Sequence, residues 1–418
     1  MSVTMTYNGT ASTTYPNLIC RPHIDLLPVK RENTVSMVGR DGTFDFENNS
    51  YKTRPITVLC TLTDTTFANL QAELMLISVW LSGSGTLIFS TQPTIQWNAK
   101  TYLDIGINDV SGTVAQFKVV FKCQPYAEDV TATEGIIDSA QSYGSGVRFY
   151  PAITATMYDL VNSIANGNFV NTDNWSADNG SLGVSSNILS GTGNGVYLGL
   201  YIIADAVSGA IGDVIYMRTK ARVTNSSATE LNLFLEDTVR SVIDDTVLTP
   251  TINEWYTLSA NVTLGTANDY QILIETLYVD AATESGKVTQ AQTVFKFNLT
   301  TIFGAGNEPS AATFDTYLDN YLTAQSVDWF EDSPSTAMQI SLLSSGEYVL
   351  ATDTFASKDV LVYDMATGKV TRNDIAIMDK VSIDSLFFDV PIGSQTITGL
   401  SDGFYVASIS YRKGYLYA

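Results

Sequence analysis

In residues 59–126 a single helical stripe is set among runs of period-two alternation, and this pairing limits the folds open to the chain. Phe67, Leu70, Leu74, Ile77 and Leu81 recur at helical spacing on one face, with Thr63 and Asp64 as N-cap candidates. The helix is expected to stop at Gly83-Ser84-Gly85, where a positive φ costs little. An apolar run precedes it. TLIFS (86–90), YLDIGINDV (102–110) and AQFKVVFKC (115–123) follow, each β-rich and bounded by turn residues. One helix closing a small β-sandwich buries both patterns.

The chain has 418 residues, 45% of them hydrophobic, enough for several domains with their own cores. No apolar run approaches the roughly 20 residues that cross a bilayer, so no membrane partner is expected. MSVTMTYNGTAS at the start has neither a basic region nor an apolar one, so it does not read as a signal peptide. Cys20, Cys60 and Cys123 stand alone, without CxxC spacing. They read as small core residues of a chain made in a reducing cytoplasm. His23 is the only histidine, so any triad or His-rich metal site would have to use it; in CRPHIDLLPV it reads as structural or solvated. A formal charge of −21 repels nucleic-acid backbones, so DNA and RNA are not expected partners.

Taken in order, VTMTYNGT is strand-like, and Arg40-Asp41-Gly42 is a hairpin turn between two alternating runs. The polar stretch from Lys30 to Arg54 makes a long excursion suited to subunit contacts. Residues 128–147, rich in Gly, Ser and Thr, read as a linker or an edge strand between domains. RFYPAITATM (148–157) reads as a strand, but its natural continuation resumes only near AMQISLLSSGEYVLATD at about 336.

LPVKRENTVSMVGRDGTFDFENNSYKTRPITVLC, then the helix, then FKVVFKCQPYAED, resembles the N-terminal belt domain of siphophage distal tail (Dit) proteins. KDVLVYDMATGKVTRNDIAIMDKVSIDSLFFDVPIGSQTITGL and SISYRKGYLYA resemble the second half of that family's galectin-like C-terminal sandwich. Gly393 keeps the family's pattern there, while Val390 and Gln395 replace its usual Leu and Asn. The resemblance covers about 1–158 and 336–418.

The segment between looks inserted. NSIANGNFVNTDNWSADNGSLGVSSNILSGTGNG (162–195) resembles the opening of carbohydrate-binding modules of the galactose-binding-like jelly-roll type. GDVIYMRTKARV, ELNLFLEDT, NEWYTLSANVT and NDYQILIETLYV supply strands at sandwich spacing. FGAGNEPSAATFDTYL resembles a tag that ends such modules in phage structural proteins; Phe314, Tyr317, Leu318 and Tyr321 give it a helical stripe after Pro309 and Ser310. The expected fold is therefore mainly β: an N-terminal β-sandwich with one helix (1–127), a linker (128–147), and a split galectin-like β-sandwich (148–159 plus 331–418). A jelly-roll module (160–330) interrupts the last.

Strand alternation assigns faces within the insert. Ile215, Met217, Ala221 and Val223 share one face; Tyr216, Arg218, Lys220 and Arg222 share the other. Leu231, Leu233 and Leu235 oppose Asn232, Phe234 and Glu236; Phe295, Phe297 and Leu299 oppose Val294, Lys296 and Asn298. The apolar sets read as core. Aromatic rings stack on pyranose faces while Arg, Asn and Glu bond hydroxyls. Tyr216, Arg218, Asn232, Phe234 and Glu236 are thus the saccharide-binding candidates. Trp175 and Trp255 are expected in the core. The acidic residues near 205–213 and 278–280 could hold a structural calcium, though without EF-hand spacing, and no other cofactor is expected.

There is no P-loop, GxGxxG after a strand, HExxH or GxSxG, so no enzyme activity is expected. The resemblance implies a virion tail-tip protein: a homo-hexameric hub ring between the tail tube protein and a tail-associated or baseplate protein. Its insert would bind host cell-wall saccharide for adsorption. The alternatives are a glycan-processing enzyme or accessory module, and an insert that is only a docking spacer.

Overall fold

The computed structural model describes residues 3–415 apart from 26–27, 32–33, 37–42, 46–50, 102–105, 138–139, 197–198, 205–206, 225–227, 237–242, 266–268, 279–285 and 331. The chain is mainly β. In the N-terminal part the strands run in the order Thr10–Ala11, Met5–Tyr7, Ser84–Phe89, Gln92–Thr101, Val114–Cys123, Arg54–Thr63, Leu18–Ile24. Alternation in Arg54–Thr63 turns Ile56, Val58, Cys60 and Leu62 inward, opposite Phe117, Val119 and Phe121. The three cysteines are free and buried there.

Helix α1 (Phe67–Trp80) lays Leu70 and Ile77 on this core. Its cap is Thr66, whose hydroxyl accepts the Asn69 N–H at 3.2 Å. Neither Thr63 nor Asp64 caps it: Thr63 ends the preceding strand, and a β-conformation residue must stand directly before the first turn. Phe67 leaves the expected stripe and is 50% exposed. Gln92–Thr101 is a strand that the pattern does not announce, because Pro93, Asn98 and Lys100 dilute it while Trp97 and Ala99 face the core. The Arg40-Asp41-Gly42 turn lies outside the described residues; the strands it would join, Thr34–Ser36 and Thr43–Asp45, are paired.

Of the two readings of this stretch, linker or edge strand, the structure shows strand: Ala127–Asp129, Thr133–Ile136 and Ala140–Phe149, the last two at sheet edges. Its small polar side chains hide the fact that each of these strands finds a distant partner. Ala127–Asp129 pairs with Gln92–Thr101 on one side and with Gly414–Tyr415 on the other. Thr133–Ile136 pairs with Phe404–Tyr411, and Ala140–Phe149 with Val390–Ser401.

Two sheets then make the C-terminal sandwich. One is ordered Thr133–Ile136, Phe404–Tyr411, Ala152–Tyr158, Val360–Asp364, Lys369–Arg372, Ile375–Ala376; the other Ala140–Phe149, Val390–Ser401, Ser335–Leu342, Glu347–Phe355. Ile153, Ala155, Met338, Ile340, Leu361, Tyr363 and Ile409 fill the space between. After Tyr158 the chain leaves this domain and returns beside its own exit: Val161 bridges Asp332, and the Leu160 N–H donates to Ser333 Oγ at 2.8 Å.

The inserted domain is a second sandwich. A six-stranded sheet carries Trp175–Asp178, Gly199–Ala204, Asp269–Leu277, Glu230–Glu236 and Ile243–Leu248 in that order, with Val207–Ser208 paired off it. The facing five-stranded sheet is ordered Gly180–Ser185, Ile188–Gly193, Val288–Asn298, Val214–Val223, Tyr256–Thr263. Ile215, Met217, Ala221, Leu231, Leu233 and Leu235 pack between them, on the faces alternation assigns. Trp175 joins this core against Phe169. Trp255 does not: it precedes its strand, is half-buried, and lies under the Arg222 guanidinium at 4.4 Å. Helix α2 (Ala311–Gln325), capped by Ser310, covers the outer face of the five-stranded sheet.

Candidate functional site

The five residues singled out for saccharide binding fall on two opposite outer faces of the inserted sandwich. Tyr216 and Arg218 project from Val214–Val223, on the face covered by α2. Asn232, Phe234 and Glu236 project from Glu230–Glu236, in the other sheet.

The first face is interior. Phe295 and Phe297 lie beside Arg218 and Tyr216 in the paired strand, and α2 lowers Phe314 onto Tyr216 with ring centroids 4.6 Å apart. Tyr216 is 0% exposed, and its hydroxyl donates to Asp315 Oδ1 at 2.5 Å. Burial, reinforced by Asp315, pushes the phenol far above its ordinary range. Ser259 Oγ donates to the other Asp315 oxygen. Arg218 Nη2 meets Asp319 at 2.6 Å, and Nη1 lies 3.6 Å from Asp315. Asp315 and Asp319 sit one helical turn apart, so one α2 face delivers both carboxylates together with Phe314 and Leu318. This is a polar clamp holding a helix on a sheet, and Tyr216 cannot touch a sugar. The signal was in the sequence: Asp315 and Asp319 flank the apolar stripe at helical spacing. Phe295, Phe297 and Leu299 are buried, but in this second core under α2, whereas Val294 enters the sandwich core. Past the clamp, a groove of about 350 Å³ runs between Arg218, Lys220 and Gln292 on one side and the second half of α2, from Asp319 to its cap Ser326, on the other.

The second face is partly open. Register places Tyr201, Glu275, Asn232 and Thr246 in one row across four strands. Ile203, Leu273 and Phe234 form the next row. Asn232 is 0% exposed; its Nδ2 donates to Glu275 at 2.9 Å and to Glu230 at 3.3 Å. It therefore orients carboxylates from beneath instead of meeting solvent. Phe234, Glu236, Glu230 and Tyr201 are half-buried and form the reachable part of this face. Alternation found Phe234 and Glu236 but not Tyr201 and Glu275, which only cross-strand register brings alongside.

Among the described residues no group of three His, Cys, Asp or Glu side chains is placed to hold a metal ion. Of the acidic stretches considered for calcium, 205–206 and 279–280 lie outside the described residues. Asp213 is engaged by Asn298 Nδ2 at 2.7 Å and the Ala210 N–H at 3.0 Å. His23 is a surface side chain 3.8 Å from Asp25.

Residues 325–415 match the family described as siphovirus-type tail component, C-terminal domain. The chain thus carries a phage tail-component domain over those residues. No curated protein matches the chain. Among solved structures it is similar to SPP1 Dit (gp 19.1), described as a paradigm of the hub adsorption apparatus in Gram-positive-infecting phages. That likeness has 13% identity, covers 71% of this chain and 100% of that one, and has a TM-score of 0.28. An arabinose-bound α-L-arabinofuranosidase, MgGH51, is similar at 11% identity over 45% of this chain and 35% of that one, with a TM-score of 0.28. A family 29 carbohydrate-binding module is similar at 14% identity over 34% of this chain and 88% of that one, with a TM-score of 0.22. At these scores the structural likenesses carry no weight on function.

Proposed function

We propose that this chain is a structural hub of a phage tail tip, with an inserted sandwich that binds host cell-surface saccharide. One observation carries the reading. The tail-component match begins at residue 325, the last residue of α2, where the insert ends. The strand Ala152–Tyr158, before the insert, pairs with Val360–Asp364 and Phe404–Tyr411, after it. A tail domain is therefore interrupted by a complete second sandwich whose ends lie side by side, an arrangement that adds a module at little cost to its host.

On this reading the chain forms a homo-hexameric ring between the tail tube protein and a tail-associated or baseplate protein. Ring closure needs heterologous contacts between copies. The saccharide lies on the half-open face bearing Tyr201, Phe234 and Glu236. Repeated weak sites on one ring gain avidity where several engage together. The chain acts without catalysis; release of reducing sugar from cell wall by the purified protein would favour the glycan-processing alternative instead.

The test uses the full chain sized by light scattering and assayed for binding to host wall polysaccharide. Phe234→Ala should leave the assembled mass unchanged and weaken wall binding at least tenfold. Unchanged wall binding would make the insert a docking spacer. A mass that stays monomeric, even with the tail tube protein present, would remove the ring.

A further inference from the structure

A cleft of about 680 Å³ opens where Ala127–Asp129 carries the chain from the N-terminal sheet into the C-terminal sandwich. It lies outside the inserted domain. Both flanking domains supply its walls: Asn98, Tyr126 and Glu128 from one side, Tyr150, Thr367 and Tyr411 from the other. We propose that this cleft is a second saccharide-binding site, built into the hub itself and taking a short neutral oligosaccharide.

The wall chemistry selects that ligand class. Tyr150 is 48% exposed, and Tyr126 and Tyr411 are half-buried, so three phenol rings border one space. Tyr411 is held by Phe149, with ring centroids 4.6 Å apart, which fixes a plane against which a pyranose can stack. Asn98 Nδ2 donates to Glu128 Oε2 at 3.0 Å, so the carboxylate that would accept sugar hydroxyls is already oriented. Thr367, exposed at the opposite rim, donates its hydroxyl proton to Asp364 Oδ2 at 2.6 Å and so offers a ligand an acceptor. Arg412 donates to the Asp129 carbonyl at 2.8 Å and also to that of Val130, which ties the two domains together across the floor. The volume falls within the range of small-ligand sites, which favour domain junctions.

Competing occupants fit less well. Glu128 at the wall and the chain's charge of −21 disfavour an anionic polymer. A peptide adding itself as a strand needs an unpaired edge, but Ala127–Asp129 and Ala152–Tyr158 are each paired on both sides.

The site is independent of the insert, so its test separates the two. Full-length protein is titrated calorimetrically with chitotriose and with maltotriose, and the same titrations are run on Tyr150→Ala, Glu128→Gln and Phe234→Ala. Tyr150 is a surface side chain and Glu128→Gln keeps its shape, so both variants should melt with the parent. The expected result is binding of at least one trisaccharide, weakened tenfold or more by Tyr150→Ala and by Glu128→Gln and unchanged by Phe234→Ala. Binding lost in Phe234→Ala but kept in Tyr150→Ala would overturn the cleft site while leaving the insert as the saccharide module. Failure of both trisaccharides to bind would also overturn it, as would saturable binding of an unmodified peptide in their place.

Discussion

Lys296 shows how a single residue can defy its pattern. It points into the inserted sandwich at 3% exposure, beside Met217 in the paired strand. Burial lowers its ammonium from the ordinary 10.5 to about 8. In the unfolded chain the proton stays until about pH 10.5; in the folded chain it leaves above about 8. Between these values the unfolded state binds more protons, so stability should rise with pH; below about 8 the fold carries a buried charge. Lys296→Met should raise the melting temperature at pH 7 and flatten the rise between pH 8 and 9.5, removing a penalty on the order of 2–3 kcal/mol. The raised phenol of Tyr216 acts oppositely, costing stability only as pH climbs past 10, and the buried Cys60 and Cys123 thiols, also pushed up, do so from about pH 9, so the lysine is read from the difference between the parent and Lys296→Met curves. Tyr216→Phe removes the hydroxyl from Asp315 while keeping the ring under Phe314. It should cost about 1–2 kcal/mol by denaturant titration and leave any saccharide affinity untouched.

At the scale of elements, α2 decides which surfaces exist. Its Phe314 is fully buried, touching Tyr216 and Phe297 in the insert and Phe404 in the C-terminal domain. The helix therefore fastens the insert to its host, and its aromatic cluster is continuous across both. Phe314→Ala should cost about 3–5 kcal/mol and raise amide hydrogen exchange across 311–325 before the two sandwiches lose protection. Uniform loosening of all three cores would instead mean that α2 is no independent fastener. Both helices were legible from their stripes, and α2 starts after Ser310 as its sequence says. What α2 covers was not legible. Tyr216 and Arg218 alternate correctly with the core, yet their face is closed by a helix about 100 residues further on.

Across the whole molecule, charge divides the same way as the domains. Residues 1–126 hold equal numbers of cationic and anionic side chains, so the entire formal charge of −21 lies in 127–418. The balanced part also exposes an apolar helix face: Met75 at 71%, Leu76 at 60% and Val79 at 72%. A neutral surface carrying such a patch can pack against copies of itself without self-repulsion, as the proposed ring requires. Met75→Glu with Val79→Glu should shift light-scattering mass from ring toward monomer while leaving far-ultraviolet circular dichroism unchanged. Retention of the full assembled mass would place the subunit contact elsewhere.

The sequence by itself determined the mainly β class, the two principal helices and the inward faces of strands such as Val214–Val223 and Glu230–Glu236. These follow from local periodicity, which the chain carries residue by residue. Only the tertiary structure decided between linker and edge strand for 128–147, that Trp255 stays outside the core, and that Asn232 is buried beneath its carboxylates. It alone set Tyr126 beside Tyr411 in one cleft. Each of those outcomes depends on which distant strand edge or helix arrives to cover a face, and no repeat along the chain records that.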